Sequence, residues 1–455
     1  MQKSPAPRAN WATRFGFILA AAGSAIGLGN IWKFPYIAGQ HGGGAFVLVY
    51  LACITLVGIP IMMAELAIGR QGQRDAVGSF VALEGPGSPW CLVGWGSVIA
   101  AFILLSFYAV VAGWSFDYLL KAASGGLRNR SPGEIEALFD QLVASPGRVI
   151  FWQALFLTAN VAIVLGGIRT GIERWSKILM PALFALLLLL FIQGMRSDGG
   201  GQALAFLFRP DFSRLTPRAL LDALGHAFFT LSLGAGVMIT YASYLEPEAD
   251  IRALSLRIAV LDTVVALVAA LTIFSVAFSA NLEAGAGPGL VFKTLPILLL
   301  RLPFGSLLAL LFFLLLAFAA LSSSISMLEV VVAYLIDEKG WSRRLATILV
   351  GFAVFLLGLP SALSFSLWQD VRPFFGHTFF EAFDALVSSW LLPLAGLFVA
   401  LYVGWFWGSK RPNKTLPGGS LQGGLSAGWQ LLLRFVAPAA VILILLNQLG
   451  LLPSG

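Results

Sequence analysis

The run LLALLFFLLLAFAAL, Leu307–Leu321, is one of several apolar stretches too long and too numerous to be the buried helices of a water-soluble core. A helical span needs about 20 mostly apolar residues, and FALLLLLFI from Phe184 belongs to a second such stretch. Of the 455 residues 58% are hydrophobic and 11% charged, whereas soluble domains carry roughly 25% charged residues. Backbone polar groups in lipid must be satisfied internally, so the chain is expected to be an all-α polytopic membrane protein. Its N-terminus, MQKSPAPRANW, is polar, and the first apolar segment carries no small-residue cleavage site, so no signal peptide is expected. The net charge of +7 belongs mainly to loops, and no basic cluster with interleaved aromatics points to nucleic acid. Cys53 and Cys91 have no metal-ligand spacing and read as packing residues. There is no GxxxxGK[ST] loop, catalytic triad or metal cluster, so neither an enzyme nor an ATP-driven pump is expected.

Hydropathy with Gly, Pro and charge punctuation gives eleven spans, centred roughly on residues 25, 57, 106, 157, 184, 232, 268, 320, 350, 393 and 439. With the N-terminus in the cytoplasm, the short inner loops hold Arg70, Arg74, Arg169, Arg174, Lys177, Lys339, Arg343, Arg344, Lys410, Arg411 and Lys414. The short outer loops are poorer in Lys and Arg, as the positive-inside rule requires. The expected location is the inner (plasma) membrane.

Within span one, SAIGLGNIWKFPY (Ser24–Tyr36) places Gly27 and Gly29 where an interruption is most costly. Span six has a counterpart, Ser232-Leu-Gly-Ala-Gly236, in HAFFTLSLGAGVMITYASY. Two broken spans five apart imply five-helix repeats, and an odd repeat must be inverted in the membrane. That is the pattern of secondary transporters with a site at the bilayer midplane. The division is then 1–195 (tail and spans one to five), 196–408 (spans six to ten), a cytoplasmic Gly/Ser/Pro-rich connection at 409–427, and 428–455 (span eleven). Unwinding exposes carbonyl oxygens that suit a hard cation such as sodium and amides that suit a carboxylate. Asn30, Thr230, Asp262 and Ser322-Ser-Ser324 add oxygen ligands on apolar helices. Any one hydroxyl can instead satisfy a neighbouring turn, but an acid on an apolar span marks a functional site by default.

NWATRFGFILAAAGSAIGLGNIWKFPY, GGGAFVLVYL, GIPIMMAELAIGR, FYAVVAGW and FFTLSLGAGVMITYASY resemble the neurotransmitter:sodium symporter family, over spans one to ten and thus nearly the whole chain. Eleven spans resemble a bacterial, LeuT-like subset. The resemblance implies inverted repeats (5+5) plus one helix, with discontinuous helices 1 and 6. It implies two sodium sites. The first takes the Ala25 carbonyl, Asn30, Thr230, Asp262 and the substrate carboxylate; the second takes carbonyls of Gly23, Ile26 and Ala319 with the hydroxyls of Ser322 and Ser323. The substrate carboxylate would meet amides near Leu28 and Gly29, beside Ala25 and Thr230, and the Tyr108 hydroxyl. Its side chain would lie among Ser24, Leu104, Phe229, Ser232, Ala235, Ser323 and Met327.

As gates, the resemblance pairs Lys33 with Asp384 outside, under a lid of Phe229 and Tyr108. Inside it pairs Arg8 with Asp337, packed by Trp11 and Tyr244. Glu65 is expected either to hold backbone near the break of span one or to form a purely structural ion pair. His226 stands where the family usually has glutamine; a solvated vestibule residue is expected, with a pH-sensitive gate as the alternative. Chloride-dependent relatives have an asparagine at the position of Asp262 and a serine at that of Ala266, so chloride is not expected here. The expected activity is sodium-coupled symport of a hydrophobic or aromatic L-amino acid by alternating access, with the Asp262 carboxylate able to return carrying a proton. A channel or a non-transporting amino-acid receptor shares parts of this pattern, but a channel would need a continuous polar stripe.

Overall fold

The computed structural model describes residues 10–280, 290–374, 376–407 and 425–451. Most of the connection expected at 409–427, and Arg8, lie outside the described residues. Among those described, nine helices are long and apolar enough to cross a membrane. They are Gly44–Gly72, Cys91–Ala123, Pro146–Leu165, Ile168–Met195, Ile251–Ser279, Gly305–Lys339, Arg343–Leu363, Phe379–Trp407 and Ala427–Gln448, which are spans two to five and seven to eleven. Arg14–Ala25 and Gly29–Gln40, bent by 50°, make span one. Span six is Pro217–Thr230 and Val237–Ala242. Its halves are short, and its first half carries Arg218 and Asp222, so length and hydropathy alone pass over it.

Local chemistry sets the ends of these helices. Thr13 caps span one by accepting the Gly16 N–H at 2.9 Å. Thr216 caps span six, where Pro217 takes a first-turn position that has no N–H to lose. Shorter helices join the spans at the surface, including Ala76–Glu84, Pro132–Val143 and Leu295–Arg301.

The broken spans lie inside a frame of long ones. Span two runs against the second half of span six so closely that a Cβ on Gly69 would lie 1.9 Å from the Ile239 carbonyl oxygen. Such contact lets backbones approach where the hydrophobic effect offers no drive between helices. The start of span one is tied to span five through Glu173, which accepts from Ala12 N at 2.7 Å, Thr13 Oγ1 at 2.9 Å and Lys177 Nζ at 2.6 Å. Spans six, eight and nine meet at Glu329. Arg343 grips this buried carboxylate with two nitrogens, at 2.7 and 2.9 Å, and the Tyr244 hydroxyl donates to it at 2.9 Å. Removing one partner of such a buried pair typically costs about 3–5 kcal/mol.

Candidate functional site

Span one loses its helical course at Ile26, whose ψ of 89° departs from the helix, and resumes at Gly29. The Asn30 side chain fills part of the gap by accepting the Gly27 N–H at 3.1 Å. In span six, Ser232, Gly234 and Gly236 all have positive φ, of 54°, 79° and 71°. Gly234 is the strictest of these, because a Cβ there would lie 2.3 Å from the Leu392 carbonyl oxygen in a conformation that already favours glycine. Ser232 holds the same left-handed region at a steric cost, and its hydroxyl donates to the Ser24 carbonyl at 3.0 Å. The two breaks therefore hold each other.

Beside them lies a buried polar cluster centred on Asp262, which is fully enclosed. Its Oδ1 accepts from Asn30 Nδ2 at 2.7 Å and Thr230 Oγ1 at 3.0 Å, and its Oδ2 accepts from the Tyr50 hydroxyl at 3.4 Å. All three partners are neutral. Among the described residues no Lys or Arg pairs with this carboxylate, and no three His, Cys, Asp or Glu gather as they would for a transition metal. One carboxylate beside a hydroxyl, an amide and nearby freed carbonyls is an oxygen-rich set that suits a hard cation.

The expected second cation site is also brought together. Ser322 Oγ donates to the Ala319 carbonyl at 3.0 Å and lies 3.5 Å from that of Ile26, and the Cβ atom of Ser322 is 3.2 Å from where a Cβ on Gly23 would stand. Ser323 instead donates to the Ser24 carbonyl, at 3.0 Å.

Between the breaks is an enclosed cavity of about 20 Å³. Its walls hold every residue expected around the substrate except Thr230, which faces Asp262, and add Gly27 and Leu392. That volume is roughly what one water needs, so any larger solute enters only when the walls move apart. Ser24 and Ser232, 3.3 Å apart, bridge the cavity, and the Tyr108 hydroxyl accepts the Leu28 N–H at 3.5 Å. That amide is where a carboxylate was expected to bind.

Several expectations change. Lys33 does not pair with Asp384: its Nζ lies 4.6 Å from the centre of the Phe229 ring, while Asp384 accepts from Ser388 at 2.7 Å. Glu65 holds the other break, accepting the Gly234 N–H of span six at 2.7 Å. His226 is buried, not solvated, with its ring 5.6 Å from Phe34 and 5.5 Å from Tyr50. On the face that carries the N-terminus, Trp11 packs edge-on to Tyr244 and donates to the Tyr241 carbonyl at 2.9 Å. Asp337 accepts the Asp75 N–H there at 2.8 Å. The reading missed Glu329, although an acid on an apolar span was the signal that had singled out Asp262.

The whole chain matches one family model, that of the sodium:neurotransmitter symporter family, over residues 8–131 and 134–453. The chain belongs to this family. It is similar to an uncharacterized sodium-dependent transporter, YhdH, of Bacillus subtilis, with 40% identity over 448 residues, 97% of this chain and 98% of the relative. It is more distantly similar to the sodium- and chloride-dependent taurine transporter of Bos taurus, with 25% identity over 463 residues, 90% of this chain and 73% of the relative. Among solved structures, MhsT in complex with L-phenylalanine is 44% identical and superposes with a TM-score of 0.90, covering 97% of this chain and 100% of that one. The protein is thus a sodium-dependent membrane transporter with inverted repeats, and its family is one of transporters, not enzymes.

Asp75, on the loop after span two, carries a pH signature for the face that holds the N-terminus. Its side chain is buried against Asp337 and Glu338, and Glu338 is itself paired with Arg74 at 2.6 Å. Burial first, then those two carboxylates, push the Asp75 carboxyl up to about 7. A raised carboxyl favours the packed state while protonated, so its contribution is full below the ordinary carboxylate range and is lost as pH rises through about 7. Asp75→Asn, which keeps the helix cap onto Val77 and Gly78, is expected to raise the melting temperature at pH 8 and leave it nearly unchanged at pH 4. Melting curves of both proteins across that range check this.

Proposed function

We propose that the protein imports a hydrophobic or aromatic L-amino acid, driven by two sodium ions, by alternating access across the plasma membrane with its N-terminus in the cytoplasm. The observation that carries this reading is Asp262, a buried carboxylate without a cationic partner, joined to Asn30 and Thr230 beside the cavity between two helix breaks. A sodium ion there offsets the charge, and the substrate carboxylate meets the amide of Leu28 and the hydroxyl of Tyr108. Each ligand then stabilises the closed state that binds the other, and the coupling is reciprocal. The second sodium ion takes the Ile26 and Ala319 carbonyls with the hydroxyls of Ser322 and Ser323. Chloride takes no part, and the empty carrier returns with a proton on Asp262.

The test is uptake into proteoliposomes with and without an inward sodium gradient. Gradient-driven accumulation supports symport; binding without accumulation marks a receptor, and gradient-independent flux marks a channel. The preference for a large side chain rests on Ala235, whose methyl lines the cavity, and accords with the phenylalanine bound by MhsT. Ala235→Phe is expected to weaken uptake of phenylalanine or tryptophan by about tenfold or more relative to alanine, since one group's worth of pocket volume commonly decides 10–200-fold. Competition by unlabelled amino acids measures it; glycine or glutamate outcompeting every hydrophobic substrate in the unmodified protein contradicts the assignment.

A further inference from the structure

Away from the transport site, on the face opposite the N-terminus, a cavity of about 320 Å³ lies between the loop after span three and the turn leading into span eight. Arg128, Asn129 and Arg130 form one wall, and Ile297, Leu300 and Arg301 form the other. Among the described residues no acidic side chain lines it. The backbone sets this wall: Gly125 and Asn129 both have positive φ, at 75° and 55°, turning the loop sharply twice. Arg130 spends one nitrogen, Nε, on the Gly126 carbonyl at 2.6 Å.

The neighbouring carboxylates are already used. Glu134, which acts on Arg130 electrostatically, accepts from both Ser131 N and Ser131 Oγ at 2.7 Å, capping the helix Pro132–Val143. Asp140 pairs with Lys293 at 2.7 Å, and Asp117 pairs with Lys121 and Arg148 at 2.6 and 2.8 Å. Among the described residues, none of Arg128, Arg130 and Arg301 takes part in an ion pair. Among the described residues, three guanidinium groups thus share one concavity with no ion-paired carboxylate and with Glu134 acting on Arg130 alone, and an anion relieves their mutual repulsion.

The surroundings say which kind of anion. The cavity stands where two membrane-spanning helices meet the loops, span three ending at Ala123 and span eight beginning at Gly305. Phe304, between the lining residues Arg301 and Ser306 in the chain, is 81% exposed, and Leu120 and Leu307, near the adjoining ends of spans three and eight, are 56% and 51% exposed. Exposed apolar side chains under a basic hollow suit a molecule with a charged head and hydrocarbon tails, and basic pockets between membrane helices bind phosphate head groups. Guanidinium forks match phosphate oxygens two at a time.

We propose that the cavity bounded by Arg128, Arg130 and Arg301 binds the phosphoryl group of an anionic phospholipid. The site bridges the loops that follow spans three and seven, so an occupied cavity pins these two loops together.

The test uses the full chain, delipidated in detergent, and a variant carrying Arg128→Gln, Arg130→Gln and Arg301→Gln. Native mass spectrometry and melting curves are recorded with dioleoylphosphatidylglycerol, with dioleoylphosphatidylcholine and with inorganic phosphate. The expected result is binding of phosphatidylglycerol at least about tenfold tighter than phosphatidylcholine, since each basic residue near a membrane surface contributes to attracting an anionic lipid, with the preference lost in the variant. Sodium-dependent stabilisation by the transported amino acid should survive in the variant, which shows that it is folded. Equal retention of phosphatidylglycerol by both proteins overturns the proposal, as does equal binding of the two lipids. Inorganic phosphate that matches the effect of phosphatidylglycerol overturns the lipid assignment in favour of a free-anion site.

Discussion

Alanine at both Ser322 and Ser323 is expected to raise the sodium concentration for half-maximal uptake by at least about tenfold, or to abolish uptake. Each lost hydrogen-bonding hydroxyl in a buried site costs about 1 kcal/mol, and about 1.4 kcal/mol is a factor of ten. The two hydroxyls reach the break of span one from span eight, Ser322 beside the Ile26 and Ala319 carbonyls and Ser323 on the Ser24 carbonyl. With sodium bound they would turn their oxygens to the ion together with those carbonyls. Without them span eight offers only the Ala319 carbonyl, so sodium loses both side-chain ligands that join the two elements. Substrate binding at saturating sodium separates the two ways this variant can fail. Recovery there means weakened sodium affinity; no recovery at any concentration means that span one has lost its anchor. Unchanged sodium dependence contradicts the assignment of this site.

The breaks were legible because glycine pairs in otherwise apolar spans have a local cause. Asp262 was legible because charge in lipid is costly wherever it sits. What stayed hidden depends on which elements meet. The sequence near Glu65 gives no sign whether its carboxylate caps span one or span six, since span two runs past both, and only the close approach at Gly69 puts it against Gly234. His226 looked solvated because Phe34 and Tyr50, which enclose it, come from other spans. Arg343 counted as one more inner-loop charge, yet it reaches Glu329 fourteen residues earlier and closes a buried pair. Lys33 has a long flexible stem and its Nζ lies near the Phe229 ring, where cation–π attraction competes with a distant carboxylate.

Asp262→Asn is expected to weaken sodium-driven uptake by about tenfold or more and to make the remaining transport respond to chloride. The carboxylate accepts from Asn30, Thr230 and Tyr50 through two oxygens. An asparagine offers one acceptor oxygen and turns an NH2 group toward these donors, so at least one of them is left unsatisfied in a dry site. The larger loss is electrostatic. A sodium ion next to a fixed carboxylate needs no other counter-charge, whereas beside a neutral amide it does, and a mobile anion is the means by which chloride-dependent relatives supply one. In the proposed mechanism the unmodified protein needs no such anion: Ala266, one turn beyond Asp262, has no hydroxyl, and chloride next to a carboxylate in a low-dielectric interior would meet strong repulsion. Uptake by the unmodified protein should therefore persist when gluconate replaces chloride. In the proposed mechanism the same carboxylate would give the empty carrier a site for a proton once sodium has left. An acidic vesicle lumen is then expected to speed net uptake by the parent protein and to have no effect on Asp262→Asn, in which the proton has no acceptor. Strict chloride dependence of the parent, or an Asp262→Asn protein with normal sodium affinity and the same response to luminal acid, contradicts this role for Asp262.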